Sequence, residues 1–184
     1  SFNLGIGQGF MTATPLQLAI MTARIANGGY EVQPNLLLAK TAPREELAPP
    51  APRDKPTAPS LRFNPQHLQI VRQGMVDVVN SSIGTAGALR RDASGKLLDF
   101  TFAGKTGTAQ VKRITERERE LGITQAQLPW HLRHHALFVC FGPAEKPRYA
   151  CAVIIEHGMA GGATAGPIGR DVLAETIKRD PSRR

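Results

Sequence analysis

Two rhythms of apolar residues run along the chain, one near 3.6 residues and one of 2, and they predict helices and strands respectively. Thr14 is placed to cap a helix whose first residue is Pro15, and Gln17, three positions after the cap, completes a capping box. Leu16, Ile20, Ala23 and Ala26 mark the apolar face of that helix, and Asn27-Gly28-Gly29 ends it. A second helix is predicted from Asn64-Pro65 to Asn80, with Leu68, Val71, Met75, Val78 and Val79 at helical spacing. Leu98, Phe100 and Phe102 instead share one face of a period-2 pattern between Leu97 and Val111, which predicts a half-buried strand. Ala136 to Phe141 and Tyr149 to Ile155 are apolar runs joined by a short proline-containing turn, hence an antiparallel hairpin beside that strand. Pro167 opens a last helix with Ile168, Val172, Leu173 and Ile177 on its apolar side. Two helices, three strands and a helix give a mixed α/β fold with an antiparallel sheet flanked by helices.

Between these elements the composition changes. Phe2 to Thr14 is glycine-rich and reads as a loop, and Tyr30 to Ala39 reads as extended. Seven of the fourteen prolines lie between Pro43 and Pro65, so residues 41–63 are expected to be a surface excursion. Ser81 to Gly95 is polar and turn-rich. Residues 112–134 form a charged insert with two further capping boxes, Thr115 to Glu118 and Thr124 to Gln127, which predict short helices. Gly158 to Gly166 reads as a glycine-rich loop.

At 184 residues and 41% apolar content the chain is one domain's worth of core. No run approaches the roughly 18 apolar residues of a membrane-crossing helix. The net charge of +8 does not argue for nucleic acid, because the cations are scattered and lack interleaved aromatics. Cys140 and Cys151 fall on the two hairpin runs, so pairing of those runs brings them close to opposite each other; two buried free thiols are expected. His131, His134 and His135 have no Cys or carboxylate at ligand spacing, and His67 has no second ligand on its helix, so no metal is implied.

The chemistry concentrates in Lys105, Thr106, Gly107 and Thr108. Alternation turns Thr106 and Thr108 to one side of the strand and Lys105 to the other. Gly107 removes a side chain where something must lie close against the backbone. An ammonium, two hydroxyls and a strand edge suit an extended ligand ending in a carboxylate. Gly104-Lys105-Thr106 is not the tail of a phosphate loop: Asp99 stands where that motif needs glycine, and a strand rather than a helix follows.

Lys-Thr-Gly is also a signature of penicillin-interacting serine enzymes. With Ala103, Ala109, Gln110 and Val111 around it, the segment AGKTGTAQV resembles the third active-site motif of the class B penicillin-binding proteins. Gly5-Ile6-Gly7-Gln8-Gly9, Thr14-Pro15-Leu16-Gln17-Leu18, Gly84-Thr85-Ala86 and His134-His135-Ala136-Leu137-Phe138 resemble further parts of the cell-elongation members, in the same order. The resemblance covers nearly the whole chain outside the proline-rich stretch. It implies the C-terminal part of one transpeptidase domain, with the serine β-lactamase-like fold and no cofactor. It implies peptidoglycan D,D-transpeptidase activity for the intact protein, at the periplasmic face of the inner membrane.

The resemblance gives Lys105, Thr106 and Thr108 the role of holding the carboxylate of a D-Ala-D-Ala stem peptide or of a β-lactam, and the backbone N–H of Thr108 that of an oxyanion donor. The elongation complex and its SEDS-family glycan polymerase are the partners it implies for the parent. None of the seven lysines has a serine three residues before it, so S-x-x-K is absent from these 184 residues. Ser1-Phe2-Asn3 spells S-x-N, but the family's second motif lies well upstream of Gly5-Ile6-Gly7. The opening Ser1-Phe2-Asn3-Leu4-Gly5 therefore reads as a cut inside a longer protein, with the nucleophile and signal anchor outside it. Alone, such a chain is expected to be inactive and to self-associate through exposed apolar surface. A β-lactam sensor or β-lactamase, or a scaffold module without catalysis, are the alternatives; the GIGQG and TPLQLA segments favour the synthase.

Overall fold

The computed structural model describes residues 11–34 and 58–180. The glycines at 5–9 and most of the proline-rich stretch lie outside the described residues, as does the extended segment beyond Pro34.

Helix α1, Pro15–Ala26, begins where local chemistry dictates. Thr14 Oγ1 accepts the Gln17 N–H at 3.2 Å and Gln17 Oε1 accepts the Thr14 N–H at 2.8 Å. The buried residues are Thr22 and Ala26, with Leu18 and Ile25 packed beside them, whereas Leu16 is exposed. This rotates the apolar face away from the predicted one. Thr22 can be buried because its hydroxyl donates to the Leu18 carbonyl at 2.7 Å, which removes the penalty of a polar group in the core.

Helix α2, Pro65–Asn80, is capped by Asn64, whose side-chain oxygen accepts the Gln66 N–H at 2.9 Å. Met75 and Val79 are buried, but Val71 is exposed with Ile70, so the predicted stripe narrows to the helix's second half. At its end Asn80 Nδ2 donates to the Phe102 carbonyl at 2.9 Å, tying the helix to the approach of the next strand. A single 3-10 turn follows at Gly87–Arg90.

Strands β1, Ala103–Ala109, β2, His135–Gly142, and β3, Tyr149–Ile155, form one antiparallel sheet in the order β1-β2-β3. The registers include Lys105 opposite Val139, Thr106 opposite Phe138 and Cys140 opposite Cys151. β1 begins later than the apolar alternation predicts. Ala103 pairs with Phe141, next to the end of β2 at Gly142, so Leu98 and Phe100 have no strand to pair with and serve as core side chains instead.

Two helical layers enclose the sheet. α1 and α2 cover the face bearing Ala103, Val139 and Phe141. Helix α4, Gly166–Lys178, covers the face bearing Ala136, Phe138 and Cys140 with Leu173 and Ile177. Ile168 and Val172, predicted to face the core, are 44% and 48% exposed. The contact side is instead Gly169 and Arg170, because the Phe138 ring lies where a side chain on Gly169 would stand, 2.8 Å from a Cβ built there. Phe138 itself is fully buried between the layers. The charged stretch contributes α3, Glu116–Glu120, behind the Thr115 to Glu118 capping box, and a 3-10 turn at Gln125–Gln127 behind the second box.

Candidate functional site

β1 is an edge: β2 pairs with one side of it, and among the described residues no strand pairs with the other. Lys105 lies on the exposed part of this edge and Thr108 is also exposed. The Lys105 ammonium folds back onto its own strand and donates to the Thr106 carbonyl at 2.7 Å. That contact puts the Thr106 carbonyl on the open side of the strand, and Thr108, two residues on, shares its backbone orientation. The edge therefore offers a cation together with main-chain groups that another extended chain can pair with.

The side chains separate as alternation predicts. Lys105 is in register with Val139, on the face of α1 and α2, and Thr106 with Phe138, on the face of α4. Thr106 Oγ1 lies 3.3 Å from Thr85 Oγ1, which belongs to the loop after α2. A π-helical turn at Gly161–Ala165, predicted as plain loop, closes the same corner. A Cβ on Gly162 would lie 3.0 Å from the Thr85 carbonyl oxygen and 3.4 Å from Thr106 Cγ2. An open cavity of about 640 Å³ borders this corner, with Ser81, Ser82, Thr85, Gly162 and Ala163 among its lining residues.

Gly107 does mark a close approach, and the approaching group is the protein itself. A Cβ on Gly107 would meet Leu137 Cβ at 3.2 Å, and the turn at Gly161 presses against the Gly107 peptide. The π turn thus buttresses the strand at Gly107, between Thr106 and Thr108.

The histidines do structural work at the far end of β1. His134 is buried, its Nδ1 accepts the Val111 N–H at 3.3 Å, and its own N–H donates to Gln125 Oε1 at 2.9 Å. Burial, with a smaller contribution from neighbouring His135, holds the His134 pKa below its ordinary value. The neutral ring is the form able to accept at Nδ1. The His135 and His157 rings lie 4.7 Å apart in a tilted arrangement, and His157 meets Trp130 edge-on at 4.3 Å. Among the described residues no three His, Cys, Asp or Glu side chains converge as metal ligands.

Cys140 and Cys151 are directly opposed free thiols. The Cys140 S–H donates to the Gly169 carbonyl at 3.7 Å, and the interaction between the two opposed thiols raises the Cys140 pKa, with burial adding to the rise, and lowers that of Cys151. In the charged stretch the Lys112 ammonium beside Glu118 pulls that carboxyl down to about 2, with the N-cap bonds of Thr115 assisting.

Sequence reasoning singled out Lys105, Thr106, Gly107 and Thr108 but not the neighbours that pack against them. Thr85 was legible as part of Gly84-Thr85-Ala86, but its pairing with Thr106 spans 21 residues and has no local signature. Gly161 and Gly162 sit in a run of small residues that gives no hint of which strand they touch.

Residues 1–174 match the family model described as the penicillin binding protein transpeptidase domain. The chain is 40% identical over 169 residues to the peptidoglycan D,D-transpeptidase MrdA of Acinetobacter baumannii, covering 90% of this chain and 22% of that protein. It is 33% identical over 174 residues to MrdA of Haemophilus influenzae, covering 94% of this chain and 25% of that protein. It thus spans about a quarter of the length of these curated relatives. Among solved structures, Pseudomonas aeruginosa PBP2 in complex with WCK 5153 superposes with a TM-score of 0.65 at 34% identity, covering 95% of this chain and 32% of that one. The complex between PBP2 and MreC from Helicobacter pylori gives 0.65 at 30% identity, covering 95% and 26%.

Proposed function

The chain belongs to the penicillin-binding protein transpeptidase family, and from that premise we propose that it is the C-terminal, substrate-clasping part of one peptidoglycan D,D-transpeptidase domain. Residues 112–134 are a surface insert on that part. The parent crosslinks stem peptides during cell elongation and is acylated by β-lactams.

The observation that carries this reading is the open edge of β1, where Lys105 donates to the Thr106 carbonyl beside exposed Thr108. A stem peptide ending in D-Ala-D-Ala would add itself to this edge as an extended strand. Its carboxylate would be held by the Lys105 ammonium and by the hydroxyls of Thr106 and Thr108, charge-assisted bonds that specify a free terminus. A serine from another part of the parent attacks the penultimate carbonyl, the C–N bond breaks, and D-Ala leaves with a proton. The N–H of Thr108 would stabilise the oxyanion of that step. An amine of a second stem peptide then displaces the serine from the acyl-enzyme, giving the crosslink. A β-lactam with its own carboxylate takes the same place and leaves the serine acylated.

No described helix is long and apolar enough to cross a membrane. Anchoring of the parent at the periplasmic face of the inner membrane is part of the proposal, as is assembly with an elongation complex and its SEDS-family polymerase. The complex of a similar protein, PBP2 from Helicobacter pylori, with MreC supports a protein partner for the parent.

A fluorescent penicillin tests the whole. It should label the intact protein at a serine outside these residues, and Lys105→Ala should weaken carboxylate anchoring by about 1.5–3 kcal/mol. Labelling of this 184-residue chain alone, or an unchanged acylation rate in Lys105→Ala, would overturn the reading.

A further inference from the structure

We propose that Thr85 is a positioning residue that aims the Thr106 hydroxyl at the substrate carboxylate; this rests on the carboxylate-clasping role given to β1. The two hydroxyl oxygens are 3.3 Å apart, and among the described residues Thr85 is the one hydrogen-bond partner of the Thr106 hydroxyl. A threonine hydroxyl has a single proton to donate and lone pairs to accept with. A carboxylate only accepts. With an anion at the edge, the order of protons is therefore fixed: Thr85 donates to Thr106, and Thr106 donates to the anion. Thr85 keeps the Thr106 proton from turning back toward the loop and, by donating, strengthens the bond that Thr106 makes.

The position of Thr85 is built, not incidental. Its neighbour Ala86 is buried and donates its N–H to the Val78 carbonyl at 3.0 Å, fastening the loop to the end of α2. The Gly84 N–H donates to the Ser81 carbonyl at 3.2 Å, closing the turn on the other side. Gly162 fits against the Thr85 carbonyl where a Cβ would stand 3.0 Å away. α2, the loop and the π turn thus fix the backbone of Thr85, while its hydroxyl remains exposed beside the cavity.

The test uses the intact transpeptidase with Thr85→Val, which keeps the shape and removes the hydroxyl, and Thr85→Ser, which keeps the hydroxyl. Acylation rates are compared for a penicillin with its free carboxylate and for the same penicillin as its methyl ester. Thr85→Val should lower the acid-to-ester rate ratio roughly threefold to tenfold, the effect of one lost hydrogen bond. Thr85→Ser should restore it, and Thr85→Val should add nothing on a Thr106→Val background. Equal slowing of acid and ester would make Thr85 merely structural and overturn the proposal, as would an unchanged ratio. A wild-type enzyme that does not prefer the acid would instead remove the carboxylate-clasping role on which the proposal rests.

Discussion

Gly161 rests directly on the peptide of Gly107: a Cβ on Gly161 would lie 2.6 Å from the Gly107 carbonyl oxygen and 2.3 Å from that of Leu137. No side chain fits there without moving the turn or the strand. Gly161→Ala is therefore expected to cost about 1–3 kcal/mol of stability, as overpacking does. Because the displaced strand carries Lys105 and Thr108, penicillin labelling of the intact protein should fall with it. Denaturant unfolding and labelling measured on the same variant check both halves.

His134 predicts a pH dependence. Its folded pKa lies below the ordinary histidine value because it is buried. Between the two values the unfolded chain binds a proton that the folded chain does not, so stability falls as pH drops below about 6.5 and levels off once the folded pKa is passed. Protonation also removes the acceptor for the Val111 N–H. The expected outcome is faster amide exchange at Val111 near pH 5 than near neutrality, beyond the intrinsic change in rate. His134→Asn should flatten the stability curve over that interval. Glu118 and Glu145, whose pKa values are depressed by Lys112 and by the Thr101 hydroxyl respectively, withdraw their contributions only at lower pH, as it falls through each folded pKa.

The paired thiols should behave unequally. Cys151 is the half-buried member with the lowered pKa, and Cys140 is fully buried with a raised one. Iodoacetamide near neutral pH should modify Cys151 first and reach Cys140 only on unfolding, since the thiolate is the nucleophile. Peptide mass mapping of the early product decides it, and Cys151→Ser should abolish the early phase.

Asp180 is 2% exposed and receives Arg148 at 3.1 Å, joining the segment after α4 to the residue before β3. Asp180 is the buried member, while the Arg148 side chain is 21% exposed. Asp180→Ala should cost about 1–3 kcal/mol, the range for a lost hydrogen bond to a charged group, measured by thermal or denaturant unfolding. Glu175→Ala, which breaks exposed pairs with Lys178 and Arg179, should leave the unfolding midpoint essentially unchanged.

Features decided within three or four residues were legible in the sequence. The boxes at Thr14, Thr115 and Thr124 all formed, because their hydrogen bonds close within one turn. β3 spans the predicted Tyr149–Ile155, and the hairpin brought Cys140 opposite Cys151. What was misread depends on distant partners. Leu98 and Phe100 alternate like strand residues, but alternation reports burial and not whether a neighbouring strand extends that far. Ile168 and Val172 look like core, yet α4 approaches Phe138 so closely that glycine takes the contact and the larger residues turn outward. Arg170 was overlooked for the opposite reason: a buried guanidinium is costly until its bond to the Arg91 carbonyl, at 2.7 Å, is known.

Between β1 and β2 the chain leaves through self-capped turns and is clipped back on at His134, which holds Val111 on one side and Gln125 on the other. The alignment of the two strands is thus kept by a latch rather than by the length of the excursion. Insertions or deletions at Arg113 to Gly122 are therefore expected to leave Lys105 in step with Val139. The stretch acts as a cassette whose length is uncoupled from the strand beneath it.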